Sequence, residues 1–181
     1  AGAVACEGGI GTISAAQIGF LEPDYDEHPL EANLRAIKKY IDEAREKARG
    51  GIIAMNIMVA TKNYEEYVKA AVKAGVDMIV SGAGLPTRLP EFVDNAKTKL
   101  APIVSSVKAT TVIMKMWDRK FNRVPDLVVI EGPKAGGHLG FSLEQLESVT
   151  EEQFDKEIVG IKEVISEYEE KYNVKIPVIA G

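Results

Sequence analysis

The segment Glu131-Gly132-Pro133-Lys134-Ala135-Gly136-Gly137-His138-Leu139-Gly140 follows directly on the apolar run Leu127-Val128-Val129-Ile130. It sets an imidazole, able to move a proton near neutral pH, among four glycines at the carboxyl end of a predicted strand. Glycine admits positive φ and lets a ligand approach the main chain closely, and parallel α/β proteins keep their chemistry at such strand ends. As an acid or base His138 needs only to reach a substrate proton. Its alternative is a hydrogen bond to backbone that shapes the loop. No metal is expected, because neither a second histidine, a cysteine nor a carboxylate pair stands nearby at ligand spacing. Glu131 can accept from a ligand N–H or cap the loop's own backbone donors.

Three more segments end predicted strands. Asn56 is a polar side chain in an otherwise apolar run, and a buried amide without a partner costs roughly 1–3 kcal/mol. Its partner is either a ligand or neighbouring backbone. Ser81-Gly82-Ala83-Gly84-Leu85-Pro86 offers small residues and free N–H groups that suit a flat ring or an anion, or serve a tight turn. Ser105, Ser106 and Lys108 have the chemistry to position a phosphate or a ring carbonyl, although a lysine in a first helical turn commonly faces solvent.

If the strands are parallel, these four loops share one rim, and the rest of the chain supports that arrangement. Runs rich in β-branched residues predict strands at Gly11–Ser14, Ile52–Met58, Asp77–Ser81, Pro102–Ser105, Asp126–Glu131 and Ile176–Ala180. Amphipathic patterns between them predict helices over Leu30–Arg49, Tyr64–Ala74, Arg88–Lys97, Lys108–Asp118 and Glu151–Tyr172. In the first, Leu34, Ile37, Ile41, Ala44 and Ala48 share one face, with Pro29 at the start and Gly50 past the end. The middle strands recur about every 25 residues, the length of one βα unit. That march implies right-handed βαβ crossovers and favours a TIM (β/α)₈ barrel over a doubly wound sheet.

With 181 residues, 46% hydrophobic and 27% charged, the chain can bury one sizeable core. A net charge of −5 gives no electrostatic case for nucleic acid. Cys6 is the only cysteine, which excludes an internal disulfide and any multi-cysteine metal site and suits a reducing cytoplasm. No apolar stretch approaches the roughly 20 residues that span a bilayer, so no membrane partner is expected.

Taken together, Asn56-Ile57-Met58, Gly82-Ala83-Gly84-Leu85-Pro86, Pro102-Ile103-Val104-Ser105-Ser106-Val107, Ala135-Gly136-Gly137-His138-Leu139-Gly140 and Ile176-Pro177-Val178-Ile179-Ala180 have one family's order and spacing. The chain resembles the nitronate monooxygenase (formerly 2-nitropropane dioxygenase) family, which includes the FMN-dependent enoyl-[acyl-carrier-protein] reductases. The resemblance implies an FMN-containing TIM barrel with the flavin ring at the carboxyl-end rim. It places Asn56, Glu131, Gly136, Gly137 and Gly181 at the cofactor and Gly82, Gly84 and Ser105 at the substrate. His138 becomes the base toward a nitronate or nitroalkane, or a substrate-positioning group in the reductases.

Residue 131 is glutamate where many relatives have glutamine, and Lys134 replaces an acidic residue common in the motif. The family's first strand and its last βα units, whose loops bind the FMN phosphate, lie outside the chain. An incomplete barrel is therefore expected, a single FMN-binding domain over residues 1–181 that forms part of a longer polypeptide. The expected function is oxidation of nitronates or nitroalkanes with O₂. The alternatives are an NADH-dependent enoyl-thioester reductase using the same FMN and a noncatalytic flavin- or phosphate-binding module. NADH as reductant and a homodimer are left open.

Overall fold

Six short β-branched runs separated by amphipathic helices become β1 (Gly11–Ser14), β2 (Ile53–Asn56), β3 (Met78–Ser81), β4 (Lys99–Val104), β5 (Val128–Ile130) and β6 (Val178–Ala180). The computed structural model describes residues 1–93 and 97–181. The strands pair in chain order, every neighbour parallel. Strand order never reverses among the described residues, so the sheet has the sequential winding of a TIM barrel and not the switch point of a doubly wound sheet. β4 pairs with β3 through Lys99–Pro102 and with β5 through Ile103–Val104. Pro102, which has no N–H, sits at that handover.

The helices are α1 (Gly2–Cys6), α2 (Pro29–Ala48), α3 (Tyr64–Lys73), α4 (Val107–Phe121), α5 (Leu143–Ser148) and α6 (Glu151–Tyr172). Pro29 opens α2 with φ already set, and left-handed Arg49 followed by Gly50 at φ +91° closes it. The predicted helix over Arg88–Lys97 is instead one 3₁₀ turn, Leu89–Phe92, after which Val93 is extended; residues 94–96 lie outside the described residues. Pro90 is tolerated only in a first turn, so the apolar pattern there does not propagate as an α-helix. Sequence periodicity misses α1 and α5 because five and six residues are too few to show a period. The signature of α5 is its capping box, in which Ser142 accepts from the Gln145 N–H and Gln145 from the Ser142 N–H.

Strand alternation divides the core in two. Ile53, Met55, Ile79, Leu100, Val128 and Ile130 pack against the helices through residues such as Ile41, Val68, Trp117 and Ile161. Truncating such a fully buried aliphatic side chain to alanine costs about 2–5 kcal/mol, so this layer carries much of the stability. On the opposite face Ala54, Met78, Ala101 and Leu127 form a second apolar patch with Val80 and Val129. Register aligns Ser14, Asn56, Val80 and Ala101 across that face, and Ile103, Val129 and Ile179 farther along. By the same alternation Ser105 and Glu131, one step beyond, point the same way. The open face is thus apolar toward the strand starts and polar along their carboxyl edge.

The amino ends are tied down. The Asp77 carboxylate accepts from the Ile53 N–H at 2.8 Å and from Arg45 at 2.6 Å, and Arg45 also donates to the Gly75 carbonyl at 2.8 Å. Asp126 repeats the device two strands on, accepting from the Leu100 N–H at 3.0 Å, Lys99 at 2.9 Å and Arg123 at 3.1 Å. Burial alone would raise the Asp126 pKa; Lys99, the Leu100 N–H and Arg123 outweigh it and hold the carboxyl below its ordinary value.

Candidate functional site

β3, β4 and β5 deliver their following loops to one cavity of about 230 Å³, bordered by Gly84, Ile103, Ser105, Ser106, Glu131 and His138. Gly82 is buried at the end of β3, where a Cβ would stand 2.8 Å from the Ile103 Cβ, so only glycine lets the loop lie on β4. Ala83 then takes a left-handed φ of +52°, a conformation that costs an L-residue roughly 1–2 kcal/mol. Behind this loop the Tyr64 hydroxyl and Ser81 Oγ are 2.7 Å apart, and Ser81 Oγ donates to the Ile57 carbonyl at 2.8 Å. With the Ser81 proton so engaged, Tyr64 is the donor. Burial pushes the Tyr64 phenol up to about 12 against the lowering influence of Ser81, so it stays neutral at physiological pH.

Glu131 caps the glycine loop, its Oε2 accepting from the Gly140 N–H at 2.9 Å and from Ser105 Oγ at 3.5 Å. Its Oε1 has no hydrogen bond among the described residues. His138 is exposed at the cavity mouth and likewise without a hydrogen bond among the described residues, so the backbone bond that was its alternative is not formed. Ser106 is spent as the cap of α4, accepting from the Ala109 N–H, and Lys108 faces solvent. Glu157, which no sequence signal connects to this rim, accepts from the Val107 N–H at 2.7 Å and brings negative charge to the start of α4.

The remaining sequence-derived residues spread outward. Asn56 ends β2 half-buried on the open face; it does not border the cavity, and its amide has no partner among the described residues. Gly136 and Gly137 are exposed, with nothing within 4 Å of where a Cβ would stand. Gly181 borders a separate cavity of about 380 Å³ with Gly132 and Phe154, and its carbonyl accepts from the Gly132 N–H at 2.9 Å. Lys134 pairs with Glu151 at 2.6 Å on the surface. Among the described residues, no three His, Cys, Asp or Glu side chains gather as metal ligands. Size alone does not locate the site: a cleft of about 1010 Å³ lies between α2 and α3, rimmed by Arg35, Asp42 and Lys69, away from the strand ends.

The family described as nitronate monooxygenase matches residues 1–181. The chain belongs to that family. Among solved structures it is similar to FabK from Thermotoga maritima, as the M276A mutant, with 26% identity and a TM-score of 0.67, covering 99% of this chain and 47% of that one. A nitroalkane oxidase from Streptomyces ansochromogenes shares the fold at 15% identity and a TM-score of 0.67, covering 99% and 53%. So does an IMP dehydrogenase/GMP reductase-like protein from Corynebacterium glutamicum, at 17% and 0.59, covering 99% and 54%. The chain therefore spans about half the length of the structures it matches. No curated protein matches it. The glycine-histidine loop lies on the rim of the sheet of this family member. No helix among the described residues is long and apolar enough to cross a membrane.

Proposed function

We propose that the protein is an FMN-dependent oxidoreductase of the nitronate monooxygenase type, acting on nitronates or nitroalkanes with O₂. The observation that carries this reading is the open face of the sheet. An apolar floor of Ala54, Val80 and Ala101 runs into a polar edge where the Asn56 amide and Glu131 Oε1 have no partners among the described residues. A flat ring with an apolar body and heteroatoms along one margin fits that surface. Asn56, Glu131, Gly136, Gly137 and Gly181 would hold it. FMN, when bound, supplies the electron-accepting centre.

The chain's own residues do the rest. Gly82, Gly84 and Ser105 leave room for a small substrate beside Ile103 and orient it through backbone N–H groups and a hydroxyl. His138, exposed at the mouth and free of competing hydrogen bonds among the described residues, takes the proton from the carbon bearing the nitro group. The absorption spectrum of the purified full-length protein, followed by steady-state assay with a nitroalkane and its nitronate, tests the reading. Flavin bands with O₂-dependent turnover are expected; a colourless protein that FMN does not reconstitute overturns it.

A second reading, reduction of an enoyl thioester with NADH on the same FMN, is favoured by the 26% identity to FabK. Anaerobic NADH decides between them. Rapid bleaching reversed by a crotonyl thioester selects the reductase, and flavin insensitive to NADH selects the monooxygenase.

A further inference from the structure

We infer that Glu131 is a positioning residue: its carboxylate latches the carboxyl stem of the glycine loop through the Gly140 N–H and so sets where His138 stands over the cavity. Only the consequence for turnover rests on the flavoenzyme reading. The base of the latch is rigid, because the Glu131 N–H donates to the Val104 carbonyl at 2.9 Å and keeps the residue in the sheet ladder. From there Oε2 takes the Gly140 N–H at 2.9 Å, and Ser105 Oγ approaches the same oxygen at 3.5 Å. Gly140 is seated closely: a Cβ there would overlap Ser105 Oγ and come within 3.2 Å of the Ser105 Cβ.

Beyond Gly140 the Phe141 ring meets Phe154 edge-on at 6.3 Å, and at the other stem the Gly132 N–H donates to Gly181. Between them the Ala135 N–H donates to the Gly132 carbonyl at 3.1 Å and Lys134 pairs with Glu151, whereas Gly136 to His138 are loosely held. Gly136 and Gly137 stand in open space, Gly137 at φ +92°, and His138 is exposed with no hydrogen bond among the described residues. A loop pinned at its stems and free at its middle places its tip by the stems. Gly140 is only two residues from the imidazole, so the Glu131 bond is the nearest hydrogen-bonded restraint on it. The carboxylate thus acts through the loop, whatever its other oxygen touches.

Hydrogen exchange on the full-length protein without added flavin or substrate tests the latch. Glu131→Ala is expected to speed exchange of the Gly140 amide about tenfold or more while the β4 and β5 amides keep their protection; Glu131→Gln, which retains an acceptor, restores it. Should the alanine variant fail to fold, Glu131→Leu fills the same space without an acceptor. In turnover, loss of the acceptor lowers kcat about tenfold with little change in KM, and the glutamine variant recovers it. Unchanged Gly140 exchange in the alanine or leucine variant overturns the proposal, as does undiminished kcat with Gly140 released. A colourless, inactive protein would sink the flavoenzyme reading, and the exchange result would still decide the latch.

Discussion

At the amino ends of the strands, Asp77 and Asp126 are each held by a cation and by a backbone N–H of the neighbouring strand; at the carboxyl ends, the side chains of Asn56 and His138 have no hydrogen-bond partner among the described residues. Both ends of the sheet carry polar groups; the carboxyl end spends Ser106, Glu131 and Glu157 on its loops and caps and leaves the Asn56 and His138 side chains open. A half-buried amide that no neighbouring side chain engages stays open to solvent and so available to a ligand. The two ends therefore divide the work of the molecule, the first toward stability and the second toward binding and chemistry.

The largest effect should come from the carboxyl end. His138→Ala is expected to lower turnover by about 10²- to 10⁴-fold with the thermal midpoint unmoved; a variant that melts earlier would make the imidazole a structural group and erase the contrast. At the other end Asp126→Ala strands the Leu100 N–H and takes a carboxylate partner from Lys99 and Arg123, and should cost about 2 kcal/mol in urea unfolding while the folded fraction binds FMN as before. Weakened flavin affinity in that variant would show the two ends to be coupled.

Asn56→Ala reverses the pattern on a smaller scale. Flavin titration should show about a five- to tenfold weaker complex, and unfolding should show no loss of stability, since the amide supports nothing in the fold. The smallest effect is that of acid. The Asp126 pKa is depressed in the folded chain, so its contribution is complete above the unfolded value of about 3.9 and is lost as pH falls through the folded value. Urea midpoints should therefore hold between about pH 7 and pH 5 and drop below about pH 4, and Asp126→Asn should flatten that drop.

Much of the architecture is legible in the chain because it repeats. All six strands and the four long helices announce themselves through period 2, period 3.6 and their stops, and the spacing of about 25 residues names the winding. What periodicity misses is short or interrupted: α1 and α5, and the segment where Pro90 stops a helix after one 3₁₀ turn. The glycine-histidine loop is visible as composition. Its anchoring is not, because Glu131 reaches Gly140 across nine residues and Ser105 across 26, separations to which no local pattern is sensitive. Tyr64 bonding to Ser81 and Glu157 capping α4 are hidden for the same reason.

The order of the elements, the parallel sheet and the residue types available at its rim follow from the sequence by itself, since they depend on local propensity and alternation. Which of those residues meet is decided only by the tertiary structure. Strand register puts Ser105 beside Glu131 on the open face and leaves Asn56 outside the cavity that His138 borders. Register and loop seating are sums over contacts distant in sequence, and a single strand cannot know which neighbour it will pair with.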